Sequence, residues 1–319
     1  MEVTARSPSA RPAGTLTLPD GRTLSWGRTP RVMGILNLTP DSFSDGGLWR
    51  EPEHAVAGAL EMLDRGADVI DLGAESTRPG GGVYGDGART VPAPEELDRL
   101  LPVLRPLRRA TDAPISVDTR KGSVAAAVLA EGADLINDVA ALEDPAMGRA
   151  VAEAGCPVVL MHSRGELATM QERIAFDDVV AEVRRELGRA VERARTAGVA
   201  DEQIVVDPGI GFGKTGAQNL ALLRHLPALA DLGFPLLVGA SRKSFIGEIT
   251  AAPADRRLAG SLAAAAWAAD AGVALLRVHD VEETARFLKV WAAIAESADG
   301  RLRPSPEGAC RAPEEVPKC

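Results

Sequence analysis

The chain alternates between short apolar runs and longer stretches in which apolar residues recur at helical spacing. Eight of the short runs are compact, which predicts strands buried on both faces of a parallel sheet. These runs cover 31–36, 68–72, 114–118, 134–138, 157–162, 203–207, 235–239 and 274–279. The stretch from Asp177 to Gly198, which lies between the fifth and the sixth run, is typical of the helical segments.

Eight β-α units predict a (β/α)8 barrel, and a chain of 319 residues has a suitable length for one. The alternative is an open doubly wound sheet, but no G-x-G-x-x-G opens a helix after the first strand. The sequence at 16–26 has PDG at its centre, which predicts a hairpin that covers the bottom of the barrel. We expect one domain, 15–298, between mobile tails at 1–14 and 299–319, which are rich in Pro, Arg, Glu and Ser.

Charge and cysteine content exclude several classes of protein. The formal charge of −9 and the pI near 5.1 argue against nucleic acid as a partner, because no broad basic face can neutralise its phosphates. A local cluster of Arg and Lys can still bind a small anion. The three cysteines form no metal-binding pair, which favours a reducing cytoplasm. The most apolar run, 262–278, is interrupted by Asp270 and Gly272, which favours a buried helix and strand over a membrane span.

Polar residues follow the carboxyl end of all eight predicted strands, which is the end that carries the active site in such a barrel. A single Asp there is better explained by a helix N-cap or a turn residue, but eight polar ends together favour a functional mouth. Asp118, Asn137 and Asp207 close the third, fourth and sixth strands. If they point inward, their two carboxylates and one amide suit a flat heterocycle with several N–H donors.

The loops after the seventh and eighth strands favour an anion site. Residues 241–244 read SRKS before a predicted helix, where barrels often bind phosphate. Arg277 and His279 alternate on the eighth strand and therefore face the same side. An isolated His is more often a satisfied core residue, but a neighbouring Arg makes burial without a ligand costly. The loops at 38–47 and 76–87 are long, and we expect mobile lids or disordered connections there.

The stretch VDPGIGFGKT, from Val206 to Thr215, looks like a phosphate-binding loop. A Walker A loop has four residues between its first Gly and its Gly-Lys pair, and that first position is Pro208 here. Glycines at every second position instead suit a backbone that turns sharply beside a flat ligand. We therefore expect Asp207 to contact the ligand and Phe212 to form a pocket wall. Lys214 is not expected to be a phosphate lysine.

Seven segments between Arg31 and Ser297 read, in order, MGILNLTPDSFSDGG, ESTRPG, SVDTRK, INDV, DPGIGFGK, SRKS and RVHD. Together they resemble the dihydropteroate synthase family. The resemblance implies a (β/α)8 barrel that condenses 4-aminobenzoate with the diphosphate ester of 6-hydroxymethyl-7,8-dihydropterin. The products would be 7,8-dihydropteroate, a folate precursor, and pyrophosphate. It also implies Mg²⁺ as a cofactor, a homodimer and inhibition by sulfonamides.

The resemblance implies roles for individual residues. The pterin would be bound by Asp118, Asn137, Asp207, Lys243, Phe212, Gly239 and Arg277. The diphosphate would be bound by Asn37, Thr77, Arg277 and His279, and Asn37 would also bind Mg²⁺. The aminobenzoate pocket would contain Phe43, Pro79 and Ser244. The catalytic residues of a dissociative substitution would be Arg277, Lys243 and Asp118.

Three features depart from the family pattern. MHSRG has Ser163 where a second Met is common, the second loop is lengthened from Gly80, and the tail after Gly300 has no counterpart. Two other functions stay open. One is a catalytically silent relative, although ESTRPG and SRK are intact. The other is a barrel that transfers a methyl group from a folate, which would leave TPDSFSDGG and SRKS unexplained.

Overall fold

The computed structural model describes residues 13–39, 51–75, 90–165, 170 and 174–297. The strands are β1 (Gly14–Thr17), β2 (Thr23–Trp26), β3 (Arg31–Asn37), β4 (Val69–Gly73), β5 (Ile115–Asp118), β6 (Leu135–Asp138), β7 (Val158–Met161), β8 (Ile204–Asp207), β9 (Leu237–Val238) and β10 (Leu275–Val278). The α-helices are α1 (Pro52–Asp64), α2 (Ala93–Ala110), α3 (Gly122–Ala130), α4 (Pro145–Ala154), α5 (Val179–Thr196), α6 (Gly216–Arg224), α7 (Leu226–Ala230), α8 (Ser244–Thr250), α9 (Leu258–Asp270) and α10 (Val281–Glu296).

The strands from β3 onwards form one parallel sheet of eight, in the order β8-β7-β6-β5-β4-β3-β10-β9. A parallel bridge between Val206 and Leu236 joins the two edges of this sheet and closes the barrel. The (β/α)8 fold and all eight predicted strands are therefore confirmed. β9 is shorter than the predicted run of 235–239, and one reason is that Pro235 has no N–H to donate to a ladder.

The sequence also specifies several helix ends. Asp144 accepts a hydrogen bond from the Ala146 N–H, and Pro145 occupies the first turn of α4, where its missing N–H costs nothing. Asp178 caps α5, so the predicted helical segment from Asp177 is confirmed. Outward-facing strand residues such as Ile70 and Leu72 pack in the large core between sheet and helices. Inward-facing residues are therefore left to form the interior of the barrel.

The N-terminal hairpin covers the bottom of the barrel, as predicted. β1 and β2 pair antiparallel, and Leu16, Leu24 and Trp26 are buried. They belong to one apolar cluster with the lowest inward-facing residues of the barrel, which are Met33, Val69, Leu135, Val159, Val205, Leu237, Ala274 and Leu275. Arg22, from the hairpin turn, also pairs with Asp134 at the entrance to β6. The bottom is thus sealed, and a ligand has to enter at the carboxyl ends of the strands.

The predicted buried helix and strand within 262–278 correspond to α9 and β10. Within the described ranges, no helix is both long and apolar enough to cross a bilayer. β1 begins at Gly14, one residue before the expected start of the domain. Residues 1–12 and 299–319 of the predicted tails, residues 40–47 of the first long loop and the whole of the second (76–87) lie outside the described residues.

Candidate functional site

The candidate site lies inside the barrel, where side chains from strands that are not neighbours meet. Arg277 on β10 donates from Nη2 to Asp118 Oδ2 on β5 at 2.8 Å. β3 and β4 separate those two strands in the sheet, so this bond crosses the interior. Arg277 also donates from Nε to Asp71 Oδ2 on β4 at 2.6 Å. The predicted inward orientation of Asp118 and Arg277 is therefore confirmed.

Asn137 on β6 completes this network. Its Nδ2 donates to Asp71 Oδ2 at 3.2 Å, which again spans the interior because β5 lies between β4 and β6. Asn137 Oδ1 has no hydrogen-bond partner in the part of the chain that the structure describes. Asp118, Asn137 and Asp207 are all buried, so the predicted lining of two carboxylates and an amide is present.

Burial gives the carboxylates of the lining unusual acidities. It raises the pKa of Asp118 to about 7, although the charge of Arg277 opposes the shift and that of Asp71 adds to it. Burial likewise raises the pKa of Asp207 to about 6. Burial acts in the opposite sense on Arg277, but Asp71 and Asp118 outweigh it and raise its pKa. Burial thus disfavours the charged carboxylates, and N–H donors from a ligand would stabilise them.

Asp207 begins the loop that carries the three glycines. Its Oδ1 accepts a hydrogen bond of 2.7 Å from the Gly209 N–H, so the turn role considered for this Asp is real. Gly209, Gly211 and Gly213 have φ values of +65°, +86° and +61°, a region that side chains rarely adopt. A Cβ on Gly209 would lie 1.9 Å from the His162 carbonyl oxygen. Here glycine allows both the turn and a close approach to the β7 loop.

Lys214 holds this loop from inside the protein. Its ammonium donates to the carbonyl oxygens of Gly209 and Phe212 at 2.9 and 2.8 Å and to His162 Nδ1 at 3.0 Å. His162 Nε2 in turn lies 2.8 Å from Glu186 Oε2 on α5. Burial lowers the pKa of Lys214 to about 7 and that of His162 to about 4. With three good acceptors inside the fold, Lys214 is not placed to bind a phosphate, which agrees with its sequence interpretation.

The loop places Phe212 and Lys243 together. Lys243 Nζ lies 4.0 Å from the centroid of the Phe212 ring, within the range of a cation–π contact. The Lys243 stem passes Gly211, where a Cβ would lie 3.0 Å from Lys243 Cδ. A Cβ on Gly239, after β9, would lie 3.7 Å from Arg277 Cβ. The predicted pterin residues thus form two neighbouring pairs, Phe212 with Lys243 and Gly239 with Arg277. The charges of Lys243 and Arg277 both act on Asp207.

The SRKS and RVHD segments are joined by side-chain contacts. Ser241 Oγ is hydrogen bonded with His279 Nδ1 at 3.2 Å. Arg242, which was considered for the anion site, pairs with Asp280, and its Nε lies 3.0 Å from Asp280 Oδ2. Ser244 is the first residue of α8. Lys243, Ser244 and His279 therefore lie in two segments, 241–244 and 277–280, that are hydrogen bonded to each other.

Asn37 ends β3 at the mouth of the barrel, and its side chain makes no hydrogen bond to a described residue. A Cβ on Gly73 would lie 3.6 Å from Asn37 Oδ1 and 3.8 Å from Asp118 Cβ, so Asn37 is close to the lining. Three other predicted site residues, Phe43, Thr77 and Pro79, lie outside the described residues.

The sequence interpretation missed Asp71. The available signal was an acidic residue, Asp71, within the apolar run DVIDL. Asp71 pairs in register with Ser116, which lies two residues before Asp118 on β5, so Asp71 and Asp118 face the same side of the sheet. It also gave no separate role to Glu75 of ESTRPG. Glu75 is buried and accepts from Arg120, Lys121 and the Val91 N–H at 3.0, 2.9 and 2.8 Å. Glu75 thereby joins the two described ends that flank 76–89.

Ser163, one of the departures from the family pattern, has a structural role. Its Oγ donates to the Val139 carbonyl oxygen at 3.0 Å and ties the β7 loop to the β6 loop. Val139 also belongs to a small apolar cluster with Met161, Met170 and Phe212. Ser163 therefore bonds to a residue of the apolar cluster in which Phe212 packs.

Comparison with known proteins agrees with this geometry. The family model of the pterin binding enzymes matches residues 33–279. A dihydropteroate synthase of Synechocystis sp. is 47% identical over 276 residues, which cover 86% of this chain and 93% of the relative.

Two solved structures of dihydropteroate synthase from Xanthomonas albilineans are similar over nearly their whole length. The structure with 4-aminobenzoic acid has a TM-score of 0.80 and 47% identity, and the match covers 89% of this chain and 99% of that one. The structure in complex with 7,8-dihydropteroate has a TM-score of 0.76 and 45% identity, with coverage of 88% and 99%. These similarities do not favour a silent relative or a methyl-transferring barrel. The chain therefore belongs to the pterin-binding enzymes, among the dihydropteroate synthases.

Proposed function

We propose that this chain condenses 4-aminobenzoate with 6-hydroxymethyl-7,8-dihydropterin diphosphate to give 7,8-dihydropteroate and pyrophosphate. The observation that carries the proposal is the buried lining in which Arg277 is shared by Asp71 and Asp118. The relatives bound to 4-aminobenzoic acid and to 7,8-dihydropteroate support the choice of substrates.

The pterin binds through the lining. Its exocyclic amine and ring N–H groups donate to Asp118, Asp207 and the unpartnered Oδ1 of Asn137. The raised pKa values of Asp118 and Asp207 record how strongly burial disfavours their charges, and N–H donors from the ligand relieve that cost. Phe212 and Lys243 lie along one side of the loop and would contact the ring system.

The reaction is a substitution at the methylene carbon of the pterin. In a dissociative course the C–O bond breaks first, and the diphosphate leaves with the electron pair. The dihydropterin spreads the resulting positive charge over its ring, and the carboxylates of Asp118 and Asp207 favour that cation. The amine nitrogen then forms the C–N bond and loses a proton to solvent or to the released pyrophosphate. Arg277, His279 and Lys243 stabilise the departing anion in this proposal.

Asn37 is the residue that would hold Mg²⁺. In the described part of the chain no three His, Cys, Asp or Glu side chains lie together as a metal site. Mg²⁺ is often bound by one or two carboxylates together with substrate phosphates, and the amide oxygen of the half-buried Asn37 would take the place of such a carboxylate. The metal would neutralise charge on the diphosphate as it leaves.

A homodimer is part of the proposal. Leu220, Ile249 and Trp267 are 45%, 63% and 43% exposed, and they lie on α6, α8 and α9. α6 packs against both of the other helices, so these side chains lie on neighbouring elements. Sedimentation equilibrium of the wild type and of Ile249→Asp tests whether this face joins two copies. A variant that stays as dimeric as the wild type would move the interface elsewhere.

The decisive experiment incubates the purified chain with both substrates and Mg²⁺, and measures dihydropteroate and pyrophosphate. Equal amounts of the two products are expected. Neither product would form if the chain only bound pterins. The binding order is tested by titrating 4-aminobenzoate alone, because tight binding without a pterin or pyrophosphate would contradict a mechanism in which the diphosphate site fills first. Cytoplasmic location and sulfonamide inhibition stay predictions.

A further inference from the structure

Asp71 lies at the centre of the hydrogen-bond network but belongs to none of the sequence motifs. It is fully buried in the middle of β4. One of its oxygens, Oδ2, accepts from both Arg277 Nε and Asn137 Nδ2. Two residues expected to contact the pterin are therefore held by a third that is wholly enclosed.

The contact with Asp71 decides how Asn137 presents its amide. Asp71 Oδ2 accepts from the Asn137 NH₂ group, so the amide turns its donor toward Asp71 and its oxygen away. Asn137 Oδ1 then points elsewhere, and it is buried without a partner in the described residues. An amide free to rotate would present a donor and an acceptor in two orientations. Asp71 thus commits Asn137 to an acceptor for the ligand.

The contact with Arg277 divides the guanidinium between two functions. Nε is held by Asp71, and Nη2 is held by Asp118. A pterin that donates to Asp118 competes with Nη2 for the same carboxylate. If that bond is released, the bond to Asp71 still fixes the base of the guanidinium, and Nη2 becomes available for the departing diphosphate.

We propose that Asp71 is a positioning residue, which orients the Asn137 amide for pterin binding and anchors Arg277 when the pterin takes over Asp118. The inference rests on the proposed function, since it assigns a role in dihydropteroate formation. The two roles of Asp71 affect different kinetic constants. The orientation of Asn137 governs affinity for the pterin, and the anchoring of Arg277 governs turnover.

The test compares Asp71→Asn with Ser116→Ala. An Asn at 71 has nearly the same shape, but it can donate to or accept from Asn137, so the amide is no longer committed. Ser116 pairs in register with Asp71 on the neighbouring strand, is equally buried, and its Oγ has no partner among the described residues. Ser116→Ala therefore removes a polar group from the same layer without removing a hydrogen bond to Asn137 or Arg277.

For Asp71→Asn we expect the KM for the dihydropterin diphosphate to rise at least about tenfold, the effect of losing a well-placed buried hydrogen bond, and kcat to fall. The KM for 4-aminobenzoate, measured at saturating pterin, should stay within about twofold of the wild type. Ser116→Ala should stay within about twofold in all three constants. In the background of Asn137→Ala, Asp71→Asn should raise the pterin KM by less than about threefold, because the amide it orients is gone.

The inference is overturned if Asp71→Asn leaves the pterin KM unchanged, or if its effect multiplies fully with that of Asn137→Ala. If Asp71→Asn does not fold, Asp71→Ser serves the same comparison, since a smaller hydroxyl also leaves the amide uncommitted. A wild type and a Ser116→Ala variant that both fail to form dihydropteroate would instead refute the proposed function. An active wild type with an unaffected Asp71 variant would refute only the role of Asp71.

Discussion

The Arg277 guanidinium donates to the Asp118 carboxylate at 2.8 Å, so two of the residues expected to contact the substrate neutralise each other across the barrel. The pair lets a cation and an anion be buried together in the protein without ligand. In the proposed mechanism, a bound pterin would take over the carboxylate and leave the guanidinium for the diphosphate. Each charged group thus has a partner of opposite charge inside the barrel before the ligand binds.

Arg277→Ala should lower kcat at least about a hundredfold, because the departing diphosphate loses a charged donor in a site with little water. Circular dichroism should show an intact fold. Arg286→Ala is the control, because Arg286 is exposed and forms a salt bridge with Glu282 on the same helix, α10. Near-normal turnover of Arg277→Ala would remove this residue from the mechanism.

Lys214→Met should loosen the glycine loop. It removes four hydrogen bonds, to His162 Nδ1 and to the carbonyl oxygens of His162, Gly209 and Phe212. The Gly209 oxygen keeps the Phe212 N–H as a donor, whereas the Phe212 oxygen loses its lysine donor. Each such loss costs about 1–3 kcal/mol, so the midpoint of thermal unfolding should fall by several degrees. The pterin KM should also rise, because Phe212 and Lys243 are supported by this loop. A variant with lower stability but an unchanged pterin KM would show that the loop keeps its shape without Lys214.

Stability below neutral pH should depend on His162. Burial lowers its pKa to about 4 in the folded chain, against an ordinary value of 6.5. Between these two values the unfolded chain binds the proton more tightly, so stability is lost as the pH falls through that window. The loss attributable to His162 is at most about 1.4 kcal/mol per pH unit.

The matched variant for this pH effect is His162→Gln, whose amide can accept from Lys214 and does not titrate. Urea unfolding at pH 7 and pH 5 should show that the wild type loses more free energy of unfolding than His162→Gln. If both proteins lose equal amounts, another group is responsible for the acid sensitivity.

Substitutions at two glycines with nearly the same φ distinguish the cost of backbone strain from an effect on the pterin site. Gly211 and Gly233 have φ values of +86° and +88°, so an Ala at either position is strained by about 1–2 kcal/mol. A Cβ at 233 meets nothing within 4 Å, whereas one at 211 approaches Lys243 Cδ at 3.0 Å. Both variants should lose similar stability in urea unfolding. Only Gly211→Ala should raise the pterin KM, and a similar rise in Gly233→Ala would contradict a local effect on Lys243.

Much of the fold follows from the sequence alone. Period and length of the apolar runs predicted eight strands between helices, because strands covered on both faces need continuous apolar stretches. The hairpin over the bottom followed from turn chemistry at PDG, and the sequence also placed Asp118, Asn137 and Asp207 at strand ends. Spacing alone ruled out a nucleotide loop at 206–215, and the structure accounts for its lysine by three contacts inside the protein.

Only the tertiary structure decided which of these residues act together. Asp71, Asn137 and Arg277 are far apart in sequence and on strands that are not neighbours, and closure of the barrel alone brings their polar atoms within hydrogen-bond distance. Asp71 looked like any polar residue in a strand until two donors were seen to converge on it. A sequence records which groups are available and their local period, whereas hydrogen bonds depend on distances of about 3 Å that are fixed by packing between distant segments.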